Sequence, residues 1–217
     1  KCRIIIPGFY DGVKPIPPRL RKAWAALRFP ARKFLGDVGL SVPAGEQGYS
    51  ALEQMWARPT AEVNGVWGGY TGAGTKTVLP SQAHAKFTFR LVGKQDPETV
   101  LKAFQAFVKA RIPKDCKVTF SGRGGGSPAT EIPESNPWIS KSAAALKAEF
   151  KRDAVLMGSG GSIPICRSFK DILGMDSVLV GFGLNDDAIH SPNEKYNLAS
   201  FQRGIRSWIR IIRGLES

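Results

Sequence analysis

Residues 158–201 read GSGGSIPICRSFKDILGMDSVLVGFGLNDDAIHSPNEKYNLASF, and the fold turns on how they are parsed. The glycines of Gly158-Ser159-Gly160-Gly161-Ser162-Ile163-Pro164 suit a backbone that turns with positive φ or approaches something closely. Cys166 to Leu173 then has a helical pattern. Ser177-Val178-Leu179-Val180-Gly181 is a short apolar run of the kind buried on both faces of a sheet. Asn185 to Glu194 follows, with acidic residues, a histidine and a proline close together. In an open α/β sheet, ligands gather beyond the carboxyl ends of the strands, where these two polar loops could meet. Two ordinary surface loops fit the composition equally well.

Upstream, the pattern changes. Arg19–Leu27, Ala31–Val38 and Ser50–Ala57 have the punctuation of short helices, the last with Leu52, Met55 and Trp56 as its apolar face. From Thr60 the period is two: Ala61, Val63, Gly65 and Trp67 alternate as on a half-buried strand, and Ala83–Val92 repeats the pattern. Asp96-Pro97-Glu98 opens a helix with a cap, a first-turn proline and an acidic residue beside it. Its stripe is Val100, Leu101, Phe104, Phe107 and Val108. Lys117–Ser121 is expected as a further short strand. The order strand, strand, helix, strand is three-quarters of a split βαβ sandwich whose first strand and helix would lie upstream of Lys1.

The Gly/Ser/Pro-rich residues 122–137 mark the expected boundary between 1–127 and 128–217. Beyond it, Trp138–Lys151 reads as a helix with Ile139, Ala143, Leu146 and Phe150 on one face, and Ala154–Met157 as a strand. Leu198–Leu215 is strongly amphipathic, with Leu198, Phe201, Ile205, Trp208 and Ile212 expected to face inward. The fold class is therefore mixed: an antiparallel α+β part followed by an α/β part.

Composition narrows the partners. The 217 residues are 42% hydrophobic and 23% charged, the balance of an ordinary globular chain. No apolar run approaches the roughly 20 residues that cross a bilayer. The start, KCRIIIPGFYDG, has no apolar leader core or cleavage site, so no secretory signal is expected. Cys2, Cys116 and Cys166 are odd in number and lack a CxxC, which suits reduced thiols and a cytoplasmic location. Net charge is +13, and residues 1–40 carry nine Lys or Arg against two Asp. Those bases are scattered among prolines and apolar residues with no nucleic-acid-binding motif, so a solvated basic surface outweighs nucleic-acid binding.

Few residues are left for chemistry. The two histidines are His84 and His190, and there is no HExxH, HxD, phosphate loop or GxSxG. His84 lies mid-strand and reads as a sheet-surface residue. His190, flanked by Asp186-Asp187 and Glu194, could ligate a metal through one ring nitrogen. A catalytic zinc needs about three protein ligands plus an open position. Either His190 is structural, or the other ligands lie in sequence outside these residues.

Four segments together resemble the M20 zinc metallopeptidases, in particular their carnosinase-like dipeptidase branch: RPTAEVNGVWGGYTGAGTKTVLP (58–80), AKFTFRLVGKQDPETV (85–100), GGSIPI (160–165) and GFGLNDDAIHSPNEKYNLASF (181–201). The likeness runs over nearly the whole chain. It implies a lid or dimerisation domain with its first strand and helix missing (1–127), followed by the C-terminal segment of an α/β zinc-peptidase catalytic domain (128–217). The HxD motif, a bridging aspartate, the Glu-Glu pair with the general base, and the HSGxxGG segment would precede Lys1. His190 is then the C-terminal metal ligand. Gly161 and Ser162 in GGSIP and Arg90 in FRLV hold substrate, Arg90 toward a terminal carboxylate, which guanidinium can grip at both oxygens. Thr77 in GTKTVLP reaches the partner subunit's site. The implied cofactor is a pair of Zn2+ ions, with Mn2+ or Co2+ as alternatives. The implied substrate is a dipeptide or N-acyl amino acid, the implied assembly a homodimer through residues 60–121, and no membrane or nucleic acid is involved. Two positions depart from the branch: Gly158-Ser159 where Arg-Glu often precedes GGSIP, and Arg123 where a lid histidine would stand. Both bear on specificity. The reading from a different class is a non-catalytic dimerising or basic nucleic-acid-binding module.

Overall fold

The computed structural model describes residues 3–122, 126–159 and 163–215. Within them the chain forms two compact units. One runs through Ala129 and takes back Gly158 and Ser159; the other holds Thr130–Met157 and the chain from Ile163 onward.

The first unit contains α1 (Pro18–Ala26), α2 (Ala31–Gly36), α3 (Ala51–Ala57), β1 (Thr60–Gly68), β2 (Ala83–Arg90) and α4 (Pro97–Lys109). Helix α3 starts where the sequence says it should. Ser50 Oγ accepts from the Glu53 N–H at 3.3 Å and the Ser50 N–H donates to Glu53 Oε2 at 2.7 Å, a complete capping box. The other Glu53 oxygen takes the Arg21 guanidinium, which ties α3 to α1. Burial raises the Glu53 carboxyl, but the Ser50 N–H, Arg21 and the Ser50 hydroxyl together hold it below its ordinary value. Ile16, Trp24 and Leu52 form the core beneath, with Trp24 and Trp56 edge to face at 5.3 Å. Met55, expected on the same face, points outward.

Strands β1 and β2 are antiparallel, from Thr60 opposite Arg90 to Trp67 opposite His84, with a bulge between Val63 and Gly65. Asp96 caps α4 by accepting from the N–H and hydroxyl of Thr99, both at 2.7 Å. The helix lays Val100, Phe104 and Phe107 on Ile6, Phe9 and Phe89, the second core. The buried Gln95 amide clamps this core, giving its N–H to the Phe9 carbonyl while its oxygen receives the Val92 N–H at 2.9 Å. Gly12, at φ +80°, lets the chain pass the Lys94 backbone, where a Cβ would stand 2.8 Å from the carbonyl.

The second unit contains α5 (Pro137–Phe150), α6 (Pro164–Leu173) and α7 (Leu198–Leu215). Helices α5 and α7 pack together. Gly204 brings α7 within reach of the Phe182 ring, and Phe182 stacks on Phe150 at 6.2 Å. Glu149 receives Arg206 at 2.7 Å and Arg210 at 3.4 Å.

Two expectations are corrected here. First, the strands foreseen at Lys117–Ser121, Ala154–Met157 and Ser177–Gly181 do not form; among the described residues β1 and β2 pair with each other, and the sheet stops there. A strand exists only where a neighbour offers matching N–H and C=O groups. The 177–181 run is not buried on both faces either, since Leu179 is 59% exposed. Second, α7 buries Gly204, Ser207 and Ile211, whereas Leu198, Phe201, Ile205, Trp208 and Ile212 are 43–76% exposed. At 100° per residue those five fall on one sector, the buried trio on the next, and Arg203, Arg206, Arg210 and Arg213 on a third. The apolar stripe is real, but Gly204, Ser207 and Ile211 beside it are the residues that are buried.

Candidate functional site

The histidine loop grows out of local rules. Helix α6 ends at Gly174 in the left-handed conformation (φ +66°). Residues 175–184 then run without helix or strand to the turn that opens at Asn185. At the far side Asn197 caps α7, its side-chain oxygen accepting from Ala199 N–H at 2.9 Å and Ser200 N–H at 3.4 Å.

Between these fixed ends, Asp187 is 1% exposed and both its oxygens are engaged. One accepts from the Leu184 N–H at 2.7 Å and the other from the Lys195 ammonium at 3.0 Å. The Leu184 N–H first, then Lys195, hold its carboxyl below the usual range against the opposing effect of burial. Asp187 and then Asp186 push the Lys195 ammonium up. The Lys195 N–H also donates to the Asp187 carbonyl at 2.9 Å, so backbone and side chain close the same ring. Inside it, Ala188, His190 and Asn193 all have positive φ (54°, 62° and 61°). The His190 N–H donates to Glu194 Oε2 at 3.1 Å, and the residue is exposed.

His190 can therefore offer an imidazole to a metal, and it offers it alone. Among the described residues no three His, Cys, Asp or Glu side chains gather as a metal-holding group. The donor chemistry fits one corner of a zinc site; the rest would have to come from elsewhere.

Arg90 and Thr77 belong to the first unit. Arg90 ends β2 opposite Thr60, while Thr77 lies exposed in the 69–82 loop that joins the other ends of the strands. Seven residue steps at about 3.3 Å put roughly 23 Å of strand between Arg90 and the start of β2. One copy of the hairpin thus holds the two residues at opposite ends. Beside that loop is a hollow of about 520 Å³ lined by Trp67, Tyr70, Lys76, Val78, Pro80 and His84. His84 lies on the sheet surface with its ring stacked on Trp67 at 5.0 Å and an interplanar angle of 9°. Gly161, Ser162 and the divergent Arg123 lie outside the described residues.

Two groupings escaped the reading of the sequence. The Asp187–Lys195 pair is eight positions apart across a proline-containing loop, a spacing that no periodicity flags. Arg58 pairs with Glu46 at 2.7 Å, both buried, and its guanidinium lies over Tyr49 at 4.5 Å and Tyr10 at 5.6 Å. Only the arginine just before Pro59 hinted at it.

Comparison with known proteins bears on this arrangement. Residues 20–116 match the family model of the M20 peptidase dimerisation domain. A Cys-Gly metallodipeptidase of Schizosaccharomyces pombe is 27% identical over 99% of this chain and 45% of its own length. The human Beta-Ala-His dipeptidase is 24% identical over 94% of the chain and 40% of its own length. Among solved structures, an M20 family metallo-carboxypeptidase from Sulfolobus solfataricus superposes with TM-score 0.79 at 24% identity, covering 97% of this chain and 48% of that one. The chain thus spans less than half the length of the curated relatives it matches. No described helix is long and apolar enough to cross a membrane.

Proposed function

We propose that this chain, which carries an M20 peptidase dimerisation domain at residues 20–116, is the later portion of a metal-dependent hydrolase of dipeptides or related N-acyl amino acids. The observation that carries the reading is the match to dipeptidases, a Cys-Gly metallodipeptidase among them, along 94–99% of the chain. In this reading 1–127 is the lid and 128–217 the end of the catalytic domain. His190 supplies one ligand of a two-zinc site in the complete protein. Arg90 grips the substrate's terminal carboxylate, and Gly161 with Ser162 holds its backbone. Thr77, at the opposite end of the hairpin from Arg90, serves the site of a second copy, which makes the working unit a homodimer. Bound zinc supplies hydroxide near neutral pH by lowering the pKa of a water. The general base that takes the proton lies outside these residues, so the chain by itself is catalytically incomplete.

The exposed apolar faces support that incompleteness. Besides the α7 stripe, α6 turns Ile165, Phe169 and Ile172 outward, each at least 40% exposed. Apolar stripes at helical spacing on two helices of one unit call for cover. A nucleic-acid role draws less support, because Arg206 and Arg210 on the basic sector of α7 are engaged by Glu149.

The test is dipeptide hydrolysis by the complete protein, with and without chelator, beside the 217-residue chain alone. Chelator-sensitive cleavage by the complete protein and none by the chain is the expected result. Absence of bound metal and of cleavage in the complete protein would overturn the reading.

A further inference from the structure

Asp186 and Asp187 look interchangeable in the sequence, yet the structure gives them different work. The Asp186 side chain is 76% exposed and touches Lys195 from outside at 3.1 Å. Asp187 is buried, with one oxygen on the Leu184 N–H and the other on Lys195. With both oxygens committed inward, Asp187 is not placed to be a ligand.

The loop it closes is costly to form. Ala188, His190 and Asn193 are non-glycine residues in the left-handed region, which is disfavoured most for Ala188 and less for His190 and Asn193. Ser191 N–H donates to the Ala188 carbonyl at 2.9 Å, and a second turn covers 192–193, so the segment holds only short local turns. Local preference does not select such a backbone, so something at its ends must. The ends are joined two ways, by the Asp187–Lys195 ion pair and by the Lys195 N–H on the Asp187 carbonyl, and the Asp187 end is fixed in turn by its own N–H on the Leu184 carbonyl at 3.1 Å.

We infer that Asp187 and Lys195 are positioning residues: they clasp the 184–195 loop so that His190 is presented in its metal-binding conformation before any metal arrives. The inference rests on the reading of His190 as a ligand. A preformed loop spares the metal the ordering of nine residues, and loss of such a supporting contact typically weakens a metal site 10–100-fold.

The experiment uses the complete protein and four variants: Asp187→Asn, Lys195→Met, Lys195→Arg and Asp186→Asn, with His190→Ala as reference. Zn2+ affinity is measured by chelator competition, the Co2+ absorption spectrum at saturation, and amide hydrogen exchange over 184–195 without metal. Asp187→Asn and Lys195→Met are each expected to weaken Zn2+ about 10–100-fold, shift the Co2+ bands and speed exchange in the loop. Lys195→Arg keeps the ion pair and should restore all three readouts, and Asp186→Asn should stay within about twofold of the parent. If Asp187→Asn does not fold, Lys195→Met decides, since it leaves the Leu184 bond intact. Unchanged exchange and affinity in Lys195→Met, with zinc lost in His190→Ala, would overturn the clasp and leave the ligand reading standing. Full zinc stoichiometry in His190→Ala would overturn the ligand reading, while the exchange data would still judge the clasp.

Discussion

Helices α4 and α7 carry the same kind of signal and meet different fates. Both are amphipathic, and in both the apolar stripe is plain from the spacing. The α4 stripe is covered, with Val100, Phe104 and Phe107 against Ile6, Phe9 and Phe89. The α7 stripe lies open, and the helix packs through Gly204, Ser207 and Ile211 instead. A hydrophobic stripe states that cover is needed; it does not state which segment supplies it. Where the covering residues lie within the same unit, as for α4, sequence and structure agree.

The largest effect expected from this contrast concerns the open unit. In the complete protein, His190→Ala should remove one metal ion and lower activity by more than the roughly 100-fold typical of losing an outer contact. Elemental analysis and steady-state kinetics check it together.

Next come the two stripes themselves. Phe9→Ala empties a side chain 1% exposed, so about 3–5 kcal/mol should be lost in the 217-residue chain. Phe201→Ala in that same chain should stay within about 0.5 kcal/mol, because its ring is half in solvent already. Moved into the complete protein, Phe201→Ala should approach the Phe9→Ala cost. Urea titrations of both backgrounds would break the comparison if Phe201 behaved alike in each.

At stake at the hairpin, under the two-site reading of the dimer, is one intact pocket of the two, about half of the wild-type activity. Thr77→Ala and His190→Ala in opposite subunits should fall on one pocket and leave the other whole. Placed in one subunit opposite a wild-type partner, they should cripple both. Equal activity from the two mixed dimers would show that Thr77 does not cross.

The smallest effect is a matter of pH in the closed unit. The Glu53 carboxyl is held below its ordinary value, so its contribution is present above the unfolded pKa and lost as pH falls through the folded one. Glu53→Gln should flatten part of the acid limb of the stability curve and cost up to about 1 kcal/mol at neutral pH, because Gln can still cap α3 but loses the charge pair with Arg21. Denaturation midpoints from pH 7 down to 3 would measure it.

What was legible in the sequence follows the same division. Helix starts were readable at Ser50 and Asp96, which satisfy backbone donors within a few residues of themselves, whereas the Asn136 cap of α5 went unread inside the 122–137 joint. The hairpin was readable from its alternation. The three strands that failed to form were not, because 117–121, 154–157 and 177–181 have the composition of strands and pairing is not written in composition. The Asp187–Lys195 clasp was equally hidden, since Asp186 and Asp187 differ only in burial, which tertiary context assigns.

Gly158 leads to a last point. A Cβ there would fall 1.9 Å from the Trp56 carbonyl, so this backbone lies flush against the end of α3, in the first unit, although 130–157 before it and the chain from Ile163 after it belong to the second. The two units are therefore interleaved along the polypeptide rather than strung one after the other. No single cut releases either one whole: a truncation starting at Thr130 would carry off the 158–159 patch and strip the Trp56 backbone of that neighbour. Recombination at one breakpoint would likewise split a surface from its mate, so the pair can be exchanged between proteins only as a set.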